Sequence, residues 1–160
     1  MSTNDRPVAI VAAEAEPKLP TSGYPARFLP RVSGRIKQRL GPLFGLANFG
    51  VNRTRLLPGA QSALRHSHTL QDEFVYILEG TAILRTNGGE TVLSPGMCAG
   101  FAAGSGDAHH LVNRSDADVV YLEVGDRSPG DAVDYPDEDL RAQLTAEGFW
   151  RFLHKDGTPY

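Results

Sequence analysis

A chain of 160 residues has the length of one common-sized domain and can bury a real core. Its 41% hydrophobic and 22% charged residues are ordinary for a soluble globular protein, and no apolar run nears the roughly 18 residues of a membrane span, which excludes a transmembrane helix. The net charge of −3 is unevenly spread: nine Lys and Arg against three acids through Leu57, then seven against sixteen, so basic and acidic segments are expected to lie against each other.

The first residues, MSTNDRPVAIVAAEAEP, lack the basic front of a secretory signal, and a cytoplasmic location is expected. From there to about Pro30 the chain reads as a Pro-rich extended arm, which would either wrap a partner subunit or cover an edge of its own sheet. Residues 32–40 read as one or two helical turns stopped by Gly41 and Pro42. The basic residues here, Arg27, Arg31, Arg35, Lys37 and Arg39, belong to no recognisable nucleic-acid-binding module, so no nucleic-acid partner is expected.

Beyond residue 46 the pattern becomes β. Short apolar runs at 46–57, 74–78, 81–85, 91–93, 97–101, 109–113 and 119–124 alternate with turns rich in Gly, Asn, Asp and Pro, the spacing of an antiparallel sandwich or barrel. Cys98, the single cysteine, excludes an internal disulfide and reads as a buried thiol between Met97 and Ala99. Residues 128–139 are rich in acids and Pro, and 138–147 read as a helix with Asp137 as N-cap. The expected organisation is an arm and short helix over 1–45, a β domain over 46–126 and an extension over 127–160 that packs back through Phe149, Trp150 and Phe152.

Two stretches carry chemistry. In RHSHTLQDEFVYILEG, His66 and His68 stand two apart at the start of a strand and project to one side about 7 Å apart, and Glu73 opens the next apolar run. In GFAAGSGDAHHLVNRSD a Gly-rich turn delivers His109 and His110. Alternation sends neighbours to opposite faces, and with Leu111 inward His109 shares its face, whereas an inward His110 would bury Arg114. His66, His68, Glu73 and His109 are therefore the candidate metal ligands. Three imidazoles and a carboxylate suit one divalent transition metal ion, Zn, Mn, Ni or Fe, with open positions for water or substrate. His110 and Asp107 read as surface or barrel-mouth residues, Asn113 as a turn residue and His154 as incidental.

Together these stretches resemble the paired motifs of the cupin superfamily. Gly59, His66, His68, Glu73 and Gly80 fill the first with one extra residue after Gly59; Gly96, Gly104, His109 and Asn113 follow the second with two extra residues before the histidine and Ala102 in place of proline. The wider match, GFAAGSGDAHHLVNRSDADVVYLEVGDRSPGDAVDYP with a terminal HKDGTPY, is similar to small bacterial one-domain cupins, some labelled sugar phosphate isomerases. The resemblance implies an all-β jelly roll, a double-stranded β-helix, with the metal inside the barrel. It also implies a homodimer and a small-molecule ligand. The expected activity is isomerase or epimerase chemistry on a small oxygenated, sugar-like and possibly phosphorylated molecule. An iron-dependent dioxygenase and a non-catalytic ligand binder with a structural metal remain open alternatives. A substrate phosphate would call for an arginine near the mouth, with Arg53, Arg55 and Arg85 as candidates.

Overall fold

Period-two burial marks the strands Glu73–Glu79, Ala82–Thr86, Ala132–Tyr135 and Leu140–Leu144 of the computed structural model, which describes residues 6–18 and 22–160. Among the described residues twelve strands appear: β1 Arg35–Arg39, β2 Phe49–Leu56, β3 Ser67–His68, β4 Glu73–Glu79, β5 Ala82–Thr86, β6 Gly89–Leu93, β7 Cys98–Phe101, β8 His110–Val112, β9 Val119–Asp126, β10 Ala132–Tyr135, β11 Leu140–Leu144 and β12 Trp150–Leu153. All paired strands run antiparallel, in the orders β1-β2-β9-β4-β7, β6-β5-β8 and β12-β11-β10-β3. The only helical segments among the described residues are short 3-10 turns, at Ala12–Glu14, Ala26–Val32 and Gly41–Phe44. No helix here is long and apolar enough to cross a membrane.

Both expected helices are corrected. Within residues 32–40 the structure has β1, paired with β2 from Arg35 opposite Leu56 to Arg39 opposite Asn52. Within 138–147 it has β11, where Leu140 and Ala142 are buried and Arg141 and Gln143 exposed, a strand alternation fixed by pairing on both sides with β10 and β12. Partners on both edges outweigh the helix propensity of Leu, Arg, Ala and Gln, a weak prior that tertiary pairing overrides. Cys98 is also corrected. It lies outward on β7 opposite Tyr76 and is exposed.

The N-terminal arm lies on its own chain. Pro17 bridges to Gln38, Lys18 N–H donates to Lys37 O at 2.8 Å, and Gln38 Nε2 donates to the carbonyls of Ala13 and Ala15, so the free edge of β1 is covered. Basic and acidic segments also meet within the chain as their charges suggest, through Arg31 with Glu138, Lys37 with Glu123 and Arg55 with Asp118.

Two apolar clusters divide the interior. One, around Leu56, Ile77, Leu84, Leu111, Val119 and Tyr121, fills the space between the five- and three-stranded sheets. The other, around Phe28, Leu64, Val133, Tyr135 and Leu140, lies under β10 and β11. Gly80 closes the turn after β4 at φ +74°, where a Cβ would stand 2.3 Å from the Asp118 carbonyl oxygen; any side chain there would push β4 from β9.

Candidate metal centre

The seam between the two apolar clusters holds the histidines. Phe101, packed on the first cluster, stacks face to face on His109 at 3.5 Å, and Tyr135 of the second lies 5.9 Å from the His66 ring. His66 and His109 exchange backbone hydrogen bonds, 3.1 and 2.8 Å, across an isolated bridge. His68 belongs to β3, held by β10 through Val133. Glu73 opens β4 between Phe101 of β7 and Gly125 of β9. Three chain segments therefore converge on one point.

At that point the Glu73 carboxylate meets three imidazoles. Oε2 is 2.8 Å from His109 Nε2 and 3.3 Å from His66 Nε2, and Oε1 is 3.6 Å from His68 Nε2. Each opposite ring nitrogen is tied down. His66 Nδ1 donates to Leu64 O at 2.8 Å, His68 Nδ1 to Asp131 Oδ2 at 2.5 Å and His109 Nδ1 to Asp107 O at 3.2 Å. Carbonyl acceptors place the proton on Nδ1 of His66 and His109, and the Asp131 carboxylate does the same for His68, which turns all three Nε2 atoms toward Glu73. Burial acts to raise the Glu73 carboxyl, but the charge of His66 and hydrogen bonds from His109 and His66 outweigh it and hold it well below the usual range.

His66, His68 and Glu73 form a group that could hold a metal ion, with one donor atom from each and all within 4.8 Å of one another. The fit rests on the donors: with each Nδ1 already committed, the Nε2 atoms that meet Glu73 can give up their protons and offer lone pairs to a divalent transition metal beside the ionised carboxylate. A tight depression lined by His68, Gln71, Glu73, Phe101, Asp107 and His109 borders the group.

Not every neighbour sits where the sequence suggests. His110 faces away from Glu73, as alternation demands, yet it is 5% exposed, with Nδ1 donating to Ala63 O, and is not a surface residue. Burial lowers its affinity for a proton. Asn113 is a turn residue as expected: its Nδ2 donates to Leu56 O and Ala117 O, and its Oδ1 accepts from Ser115. His154 pairs with Asp139 and stacks on Tyr160, latching the C-terminal tail. Arg53, Arg55 and Arg85 bond to Gln38, Asp118 and Glu90 on outward faces, so none serves the mouth. Asp131 was not anticipated. It lies 63 residues from His68, and no local motif marks it.

The comparisons with known proteins meet this geometry. A family model described as a cupin domain matches residues 52–125. A crystal structure from Silicibacter pomeroyi, described as a sugar phosphate isomerase from a cupin superfamily, shares 42% identity over 95% of this chain and 96% of that one, with a TM-score of 0.89. The chain belongs to the cupin superfamily. A second cupin-like structure, from Acidithiobacillus ferrooxidans and provisionally named for the same activity, shares 26% identity over 86% of this chain and 94% of that one, with a TM-score of 0.71. A polyketide cyclase from Streptomyces resistomycificus is similar in fold alone, at 16% identity over 74% of this cupin and 78% of that chain, with a TM-score of 0.61. No curated protein matches.

Proposed function

We propose that this cupin is a metal-dependent isomerase or epimerase of a small oxygenated, sugar-like molecule, with one divalent transition metal ion held by His66, His68, Glu73 and His109. The observation that carries the reading is the triple commitment of Nδ1, which leaves three Nε2 atoms aimed at one carboxylate. When bound there, the ion would polarise a substrate carbonyl or hydroxyl. The chain's own residues do the rest: Asp131 and the carbonyls of Leu64 and Asp107 fix the ring tautomers, while Phe101 and Trp150, stacked on His109 and edge-on to His68, exclude water from two sides. The name of the Silicibacter relative supports the same substrate class.

A homodimer is part of the reading. Phe74, Tyr76 and Leu78 project outward from β4 as an exposed apolar row, a surface that a second copy would cover.

Metal analysis of protein purified without added metal, followed by incubation of the loaded protein with aldose and ketose phosphates in deuterated water, tests the activity. Incorporation of deuterium at a carbon next to the carbonyl is the expected result. Oxygen consumption by an iron-loaded protein without exchange would replace the reading with a dioxygenase, and an inert protein would leave a ligand-binding cupin.

A further inference from the structure

Two polar residues outside the donor set, Arg65 and Asn87, spend their side chains on segments far from their own. Arg65 precedes His66, and its guanidinium reaches three turns. Nε and Nη2 donate to the two oxygens of Asp137, both at 2.8 Å, in the turn between β10 and β11, which fixes the plane of the fork. Nη1 donates to Asn87 Oδ1 and, at 3.3 Å, to Ala108 O. Asn87 opens the two-residue turn between β5 and β6, where an asparagine ordinarily serves its own hairpin. Its side chain does not. Besides accepting from Arg65, it donates through Nδ2 to Gly106 O at 2.9 Å, and its backbone N–H donates to Asp107 Oδ1 at 2.8 Å.

Gly106, Asp107 and Ala108, the three residues that lead into His109, therefore each accept one hydrogen bond from this pair. The start of their turn is tied elsewhere, by Ala103 N to Asp72 Oδ1 and Gly104 N to His68 O. Its end has little shape of its own. Gly104 and Gly106 take φ of +73° and +71°, a region glycine enters and leaves freely, and the bonds within the turn are long, 3.3 Å from Ser105 N to Ala102 O and from Asp107 N to Ser105 Oγ. Yet Asp107 O must accept from His109 Nδ1, at 3.2 Å, to orient the ring whose Nε2 lies 2.8 Å from Glu73 Oε2. The other two rings do not use this turn, since His66 bonds to Leu64 O and His68 to Asp131.

We propose that Arg65 and Asn87 are positioning residues of the metal centre: they clamp residues 106–108 so that Asp107 O holds the His109 ring with Nε2 toward Glu73. Their part in loading a metal rests on the proposed donor set, but their hold on the ring needs no metal.

Proton exchange at the imidazole nitrogens of the metal-free full chain, followed by nitrogen-15 NMR, tests the clamp, with a zinc titration beside it. In the wild type the Nδ1 protons of His109 and His68 should both exchange with water more slowly than that of free histidine. Asn87→Ala changes an exposed turn residue whose φ is not positive, so the fold should survive. It should speed exchange at His109 about tenfold, the equivalent of one lost hydrogen bond, and leave His68 as it was. Arg65→Met should act in the same direction, and both variants should bind zinc about tenfold more weakly than the wild type. Unprotected His109 in the wild type, wild-type exchange at His109 in Asn87→Ala, equal acceleration at His109 and His68, or undiminished affinity in a protein that does bind zinc overturns the clamp. A wild type that binds no zinc, in which the variants still release the His109 proton alone, would defeat the metal reading and leave the clamp standing.

Discussion

Replacing Asp131 with asparagine tests the candidate metal centre at a residue outside the donor set. Asp131 is 1% exposed, and its Oδ1 accepts from Thr69 N, Thr69 Oγ1 and Leu70 N while Oδ2 accepts from His68 Nδ1 at 2.5 Å. Asparagine preserves the shape and an oxygen for the Thr69 and Leu70 donors, so the fold should survive. Its amide nitrogen then meets His68 Nδ1–H, donor against donor. The ring escapes by moving its proton to Nε2, which removes the lone pair aimed at the site. Loss of a charge-assisted bond costs about 1.5–3 kcal/mol, which corresponds to roughly ten- to a hundredfold weaker zinc binding, the range usual for such supporting carboxylates. Competition with a chromophoric chelator measures the affinity, and imidazole nitrogen NMR of metal-free protein reports the tautomer. Wild-type affinity in a variant whose His68 still carries its proton on Nδ1 would refute the reasoning.

The adjacent histidines should separate in the same titration: His109→Ala weakens zinc binding, and His110→Ala retains it but costs about 1–3 kcal/mol of stability, read by urea denaturation, because a buried bond to Ala63 O is lost. The reverse order of zinc loss would sink the assignment of faces. The C-terminal latch should be acid-labile. The Lys155 amide and then His154 hold the Asp139 carboxyl below its usual range, so its contribution is present above the unfolded value and is lost as pH falls through the lower folded one. Amide exchange over residues 154–160 should therefore rise in acid, and Asp139→Asn should show the faster exchange already at neutral pH. Sedimentation at micromolar concentration should find a dimer that Tyr76→Glu dissociates; a wild-type monomer would remove that part of the proposal.

What the sequence made legible follows from where the physics is local. The histidine spacing and the alternation at His109 need only neighbouring residues, so the four candidate ligands could be named, and the structure brings the three histidines around the Glu73 carboxylate. β1 was hidden because Arg35 is buried and Lys37 half-buried on one face while Ile36 lies on the other, which inverts the usual alternation of a half-buried strand. β11 was hidden because its state is decided by β10 and β12, which pair with it on either side. Asp131 and the Lys37 to Glu123 pair depend on contacts across 63 and 86 positions, beyond any spacing rule.

The paired backbone bonds between His66 and His109 have a consequence for how this site would choose its metal. A donor pair fixed by main-chain bonds rather than carried on a mobile loop cannot spread or contract to suit each ion without disturbing the seam between β3 and β8. Selection then falls to the fit between an ion's preferred bond lengths and a nearly rigid frame, and little ordering entropy remains to be lost on loading.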